Sequence, residues 1–378
     1  KMKQRILYVM HISWRWAKQR PHFLAEELSK DYDVIVLYRS SYRRRRLSGN
    51  LGGSTISHRL PYFSLPFLNR SMKFQEIDSI FISLQLFLVK YIYRPSIVWL
   101  TSPSVYPYIK RLRFANVVYD CMDDFLEFPK IRNVESRRDY FAKQERELCA
   151  RAMLTIFSSN YLSNKVTCRY GLERQKTVVV NNGIASPTTD IEEGLPGSIL
   201  SLFEPNGRGK IVYIGTISEW FNFDLIISSL NSVKDIDYIL FGPAEVMIPE
   251  VRHLAYYGPV AHEYVSAIMN MSDVMIMPFI VNELVRSVDP VKVYEYISSG
   301  KPSLIPEYGE TLKFKQFVHL YSSSEEYIKK LTEILNGQLA LDVAESDRTR
   351  FLQEARWSNK RKVIVQEIRK RLKELEQT

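Results

Sequence analysis

The chain has 378 residues, 46% hydrophobic and 12% aromatic, with a formal charge of +10; it is long enough for two cores and too balanced to be disordered or fibrous. Three cysteines, Cys121, Cys149 and Cys168, lie far apart with no CxxC pair, which gives no sign of a disulfide framework or a zinc site and fits a reducing compartment. The positive balance points to anionic partners, whether nucleic acid, anionic lipid or a phosphorylated substrate.

In chain order, Lys1-Met2-Lys3-Gln4-Arg5 leads into the strand-like Ile6–Met10, an apolar run too short for a signal peptide or a membrane span. Strands are predicted at 5–10, 33–38, 96–101, 116–119, 154–158 and 177–180, with a helix over 20–29 after the first. A second series follows at 210–215, 237–242, 254–257, 273–278 and 302–305. Apolar runs that alternate with helical stretches in this way predict parallel sheets covered on both faces. Each half is expected to be a doubly wound, Rossmann-like α/β unit. The expected organisation is a domain over 1–182, a linker over 183–209 where Asn, Gly, Pro and Ser cluster, a domain over 210–355, and a charged helix over 356–378. In that helix Val363, Ile364, Ile368 and Leu372 mark the inward face. The longest apolar stretch, Ile77 to Leu88, is interrupted by Asp78 and Gln85.

The segment from Asp289 to Pro302 predicts one bounded helix, with Asp289 as N-cap, Pro290 at the first helical position and Gly300 at its end. A helix start exposes unpaired N–H groups and a partial positive charge, which suits a diphosphate. Lys292 and Glu295 share a face there, which by spacing alone reads first as a helix-surface salt pair and only second as contacts to phosphate and ribose.

The run Pro290-x-Lys292-x-Tyr294-Glu295-Tyr296-x-x-x-Gly300-Lys301-Pro302 resembles the C-domain nucleotide-sugar motif of bacterial GT-B glycosyltransferases, notably those of teichuronic acid biosynthesis and the xanthan glucuronosyltransferase. Tyr213 to Asp224 resembles the first strand and loop of the same domain, and Glu263 to Pro278 its penultimate unit. The resemblance implies a GT-B fold, two doubly wound Rossmann-like domains facing each other across a cleft. It implies a donor, a UDP-sugar by default, held at Gly215, Thr216, Phe279, Pro290, Val291, Lys292 and Glu295 with no cofactor. Gly215 otherwise reads as a turn and Phe279 as core.

In the first half, Trp14-x-x-x-x-x-Arg20-Pro21-His22-x-Leu24-Ala25 also resembles the teichuronic-type enzymes, where this loop faces the acceptor. Trp14, Arg20, His22 and Asp120 are thus acceptor candidates, and packing of Trp14 and Trp16 with capping by Arg20 is the alternative. Asp120, Asp123 and Asp124 cluster after a strand, where mutual repulsion would raise a carboxylate pKa toward that of a useful base. By alignment with the xanthan enzyme, Asp123 is the expected catalytic base, its alternative role being a helix cap.

Retaining members of the largest bacterial GT-B family carry two glutamates eight positions apart. Ser287 stands eight before Glu295, which favours inversion by direct displacement. No DxD motif occurs in a metal-binding setting, so helix dipole and lysine are expected to replace a metal. The implied acceptor is a glycan or lipid-linked glycan at the cytoplasmic leaflet. Two basic runs, 43–46 and 110–113, lie near Tyr42, Tyr62, Phe63, Phe67 and Leu68 and suit peripheral contact with an anionic membrane better than nucleic acid, for which no motif is visible. A nucleotide-sugar epimerase of the same shape, or a silent scaffold, would share the donor site.

Overall fold

The computed structural model describes residues 3–14, 18–40, 56, 58–65, 72–185 and 194–377. The chain divides into two units, the first made of 1–182 and 357–378 and the second of 183–356.

The first unit runs β1 (Arg5–Met10), α1 (Arg20–Leu28), β2 (Asp33–Arg39), β3 (His58–Tyr62), α2 (Met72–Tyr93), β4 (Ile97–Leu100), α3 (Tyr106–Ile109), β5 (Asn116–Cys121), α4 (Pro129–Arg132), α5 (Glu135–Arg151), β6 (Leu154–Phe157), α6 (Asn160–Tyr170) and β7 (Thr177–Val179). Its seven strands lie in the order β3-β2-β1-β4-β5-β6-β7, and each pairing is parallel. Alternate side chains feed two cores. Ile6, Tyr8, Val36 and Trp99 pack on one face and Leu7, Val9, Leu37 and Val98 on the other. Burial of both faces is why these strands read as unbroken apolar runs.

The second unit runs α7 (Gly197–Leu200), β8 (Gly209–Ile214), α8 (Phe223–Ser232), β9 (Ile236–Phe241), β10 (Leu254–Gly258), α9 (Val265–Met271), β11 (Val274–Ile276), α10 (Glu283–Arg286), α11 (Val291–Ser299), β12 (Ser303–Pro306), β13 (His319–Tyr321), α12 (Ser324–Leu335) and α13 (Glu345–Glu354). Its sheet is β10-β9-β8-β11-β12-β13, again parallel throughout. Both sheets therefore reverse direction beside their first strand, between β1 and β4 and between β8 and β11. Such switch points are where doubly wound folds hold ligands.

Two strands escaped the sequence reading, β3 and β13. Both are edge strands; β3 is HRLPY with alternating burial and β13 has three residues, so neither carries the apolar run of a central strand. Within the expected linker, Ile199 is buried in the second unit's core with Val212 and Ile239, and Ile184 bridges Arg356.

The last helix, α14 (Trp357–Glu376), belongs to the first unit. Trp357 stacks on Phe23 of α1 at 5.4 Å, and Arg361 pairs with Glu27 and Asp31. Its inward residues are Ile364, Val365 and Ile368, while Val363 faces outward. The expected stripe was thus right at Ile364 and Ile368 and wrong at Val363, whose place Val365 takes.

Candidate active site

The carboxylates at the end of β5 and just beyond it have three different environments. Asp120 is fully buried and accepts from Arg20 through Nε (3.0 Å to Oδ1, 3.2 Å to Oδ2) and Nη2 (2.9 Å). The same guanidinium uses Nη1 on the Val180 carbonyl and Asn182 Oδ1. Asp124, also buried, is gripped by Arg169 (3.1 and 3.0 Å) and Lys165 (3.0 Å) from α6. Asp123 is half-buried, and no described donor hydrogen-bonds its carboxylate. Burial pushes its pKa up to about 6, with Asp120 and Asp124 adding to the rise and Arg20 opposing it. Two aspartates are therefore struts, and the third is a poised carboxylate.

Asp123 lines a cavity of about 290 Å³ with His11, Thr101, Ser102, Phe125 and Phe128. His11 follows β1 and Thr101 follows β4, so the cavity sits at the first sheet's switch point. Thr101 Oγ1 lies 2.8 Å from His11 Nδ1 and 3.3 Å from the Val9 carbonyl; when the hydroxyl donates to that carbonyl, Nδ1 carries the ring proton and Nε2 is the acceptor. Burial, then His22, push the His11 pKa down to about 4, which keeps the ring neutral. His11 was missed in the sequence. Its one signal is its place as the first polar residue after a central strand.

The acceptor candidates of α1 are corrected in one respect: they are interior. Arg20, His22 and Trp14 are 3%, 0% and 4% exposed. The Gln19 N–H donates to His22 Nδ1 (3.2 Å), so Nε2 donates to the Trp14 carbonyl (3.2 Å); burial pushes this imidazole, too, down to about 4. Trp14 packs on His22 at 5.0 Å. Trp14, Gln19 and His22 are thus joined at the start of α1, while Trp16 lies outside the described residues. Arg20→Met leaves the Asp120 charge buried without its partner and is expected to cost about 3–5 kcal/mol, read as a lower urea midpoint at unchanged slope.

In the second unit, the loops after β8 and β11 are tied together across that sheet's switch point. Phe221 bridges Phe279, the Asn222 N–H donates to the Pro278 carbonyl (2.8 Å), and the Ile280 N–H donates to the Trp220 carbonyl (2.7 Å). Gly215 and Thr216 lie half-buried in the first loop. The Gly215 N–H donates to the Phe241 carbonyl (2.9 Å), and a Cβ on neighbouring Gly242, at φ 129°, would fall 1.9 Å from the Gly215 carbonyl oxygen. Only glycine fits position 242. Gly242→Ala is expected to destabilise the chain by about 3 kcal/mol or more, measured by chemical denaturation. Phe279 is half-buried and edge-on to Tyr213 at 5.9 Å.

α11 begins one residue later than the sequence predicts. Pro290 is the N-cap, Val291 the first helical residue and Gly300 the left-handed C-cap at φ 69°. Asp289 does not cap the helix; it is buried, accepts from Tyr294 Oη (3.3 and 3.2 Å) and pairs with Lys313. Tyr308 Oη donates to the Val288 carbonyl at 3.1 Å. The helix start is thus braced from three sides. On its exposed side Lys292 Nζ donates to Glu295 Oε2 at 2.8 Å, the two side chains being 33% and 19% exposed. Ser287, eight positions before Glu295, is buried, its hydroxyl donating to the Leu284 carbonyl at 2.7 Å.

No family model matches the chain. The fold is GT-B. Over 97% of its length the chain superposes on 99% of sucrose-phosphate synthase (tll1590) from Thermosynechococcus elongatus with a TM-score of 0.74 at 12% identity. It superposes equally, 97% on 99%, on Anabaena Alr3699/HepE in complex with UDP-glucose, with a TM-score of 0.70 at 13% identity. In sequence, the chain is 27% identical over 246 residues to TuaH of Bacillus subtilis (strain 168), provisionally named a teichuronic acid biosynthesis glycosyltransferase. That match takes in 61% of this chain and 60% of the relative's length, and it agrees with the resemblance carried by the Lys292 motif.

Proposed function

We propose that the chain transfers a sugar from a nucleoside diphosphate donor, a UDP-sugar, to a glycan or lipid-linked glycan in cell-surface polysaccharide biosynthesis. The observation that carries this reading is the braced start of α11 with Lys292 and Glu295 on its exposed side, in a chain similar to TuaH. The diphosphate meets the N–H groups after Pro290, including that of Val291, and the Lys292 amine, which leaves Glu295 to accept from the ribose hydroxyls. Gly215 and Thr216 offer backbone to the phosphates, and Phe279 offers a ring face to the base.

Asp123 takes the proton of the acceptor hydroxyl as its oxygen attacks the anomeric carbon. The bond from that carbon to the diphosphate breaks, and UDP leaves with its charge on Lys292 and the helix start. One displacement of this kind inverts the anomeric centre, and no metal is needed to hold the leaving group. His11 Nε2 accepts from an acceptor hydroxyl beside Asp123, while Arg20, His22, Trp14 and Asp120 keep the loops in place. Peripheral contact with an anionic membrane at the cytoplasmic face brings lipid-linked acceptors within reach.

A thermal-shift panel of UDP, GDP, dTDP and CMP sugars tests the donor. A UDP-sugar is expected to raise the unfolding midpoint, because a ligand of the native state alone stabilises it by about 2.7 kcal/mol at a hundredfold excess over Kd. A shift with none of the four contradicts the reading.

A further inference from the structure

Helix α2 is turned inside out. Ile77, Ile80, Leu84, Leu88, Tyr91 and Ile92 are each at least half exposed, and at a hundred degrees per residue they fall in one continuous stripe with Phe87. The buried side carries Asp78, Ser79 and Ser83 beside Ile82 and Leu86. Asp78 Oδ1 accepts from the Leu65 N–H at 2.7 Å, and Ser83 Oγ bonds the Ser79 and Tyr108 carbonyls at 2.6 and 3.0 Å. Polar groups are thus satisfied inside while large apolar side chains meet solvent, the reverse of a surface helix. No described helix is long and apolar enough to cross a membrane.

The charge at the C-terminal end of the stripe says what covers it. Arg94, just past the helix, is exposed, as are Arg111 and Arg113 in the loop that Lys90 Nζ ties to the helix by donating to the Leu112 and Arg113 carbonyls. Among the exposed residues from Ile77 to Arg94 none is acidic, and Glu76, just before the stripe, is exposed. Two of the three arginines stand where glycine is preferred, Arg94 at φ 46° and Arg113 at φ 43°.

We propose that the outer face of α2 lies in the interface of an anionic lipid bilayer, with its aliphatic stripe at the acyl boundary and Arg94, Arg111 and Arg113 on the headgroups. This deepens the membrane contact named above by giving it a surface, and it does not depend on the sugar-transfer chemistry. The basic run at 43–46 with Tyr42, Phe67 and Leu68, expected from the sequence to make that contact, lies outside the described residues. Tyr62 is core, its hydroxyl donating to the Met10 carbonyl at 3.0 Å. Phe63 is 36% exposed, and its backbone pairs with the Gln85 side chain on α2.

Flotation of the full chain with vesicles of phosphatidylcholine, with and without phosphatidylglycerol, tests this. The chain is expected to float with the anionic vesicles and to be released as salt rises. The double variant Leu84→Gln with Leu88→Gln is expected to lower partitioning about tenfold or more. Arg94→Gly with Arg113→Gly is expected to lower it about tenfold while the unfolding midpoint stays level or rises, an outcome that a purely structural role for the arginines does not give. Failure of the wild type to float at low salt, or floating that ignores the leucine pair, overturns the proposal. So does a dimer, detected by light scattering, that the leucine variant dissociates, since the stripe would then cover a second copy. UDP binding measured on the same samples keeps the two readings apart: vesicle binding without UDP binding sinks the transferase assignment alone.

Discussion

Lys292→Ala is expected to weaken UDP binding about 10- to 100-fold while leaving the fold intact. Among the described residues the Lys292 amine meets one partner, Glu295, at 2.8 Å on a helix surface where the lysine is a third exposed. A pair of that kind stabilises a helix by only about 0.2–0.5 kcal/mol. A diphosphate offers the amine a stronger partner, and a hydrogen bond between charged groups is worth about 1.5–3 kcal/mol, which at 1.4 kcal/mol per decade gives the stated range. Isothermal titration with UDP reads the affinity, and the unfolding midpoint reads the fold. Wild-type affinity in the variant would mean that the pair is only a salt bridge.

Asp123→Asn is expected to lower kcat about 100- to 10,000-fold, the usual contribution of a positioned base, with UDP affinity unchanged. The argument rests on the sorting of three neighbouring carboxylates. Asp120 and Asp124 are saturated by cations, so loss of either one damages the fold; Asp123 carries none of these contacts and faces the cavity with His11. Its raised pKa sets the pH dependence. The ionised form is the base, so kcat/KM should climb through about pH 6 and level off above it, and the asparagine variant should lose that limb. The same shift fixes the sign of the stability effect. The native carboxyl holds its proton to higher pH than the unfolded one, so its contribution is present at low pH and is lost as pH rises through the window from about 4 to about 6. The asparagine variant should therefore be no less stable than the wild type at neutral pH. A marked loss of stability there would make Asp123 a structural residue.

The central strands were legible because both faces of each sheet are buried, so Ile6–Met10 and Lys210–Ile214 read as apolar runs whichever way a side chain points. His58–Tyr62, broken by polar residues, and the three-residue His319–Tyr321 carry no such run and stayed hidden, although the edge strands Thr177–Val179 and Leu254–Gly258 were legible. The α11 motif was legible as a motif, although Asp289 looked like a cap and is instead a buried anchor for Tyr294 and Lys313; a partner 24 residues away leaves no local trace. The three aspartates at and beyond the end of β5 were visible as a cluster, but their division into struts and a poised group depends on Arg20 and on Lys165 and Arg169, which only the fold brings near. The same holds for α2, which the sequence offers only as an apolar stretch from Ile77 to Leu88 broken by Asp78 and Gln85, and whose serines and Asp78 only the fold shows facing inward.

Hydrogen exchange of the full chain with and without saturating UDP tests the central claim most directly, since it reports where the nucleotide sits as well as whether it binds. UDP should slow exchange in two segments of the second unit, 215–222 and 290–296, more than elsewhere in that unit. Saturation that leaves 290–296 unprotected, or protection confined to other segments, would contradict a donor held at the start of α11.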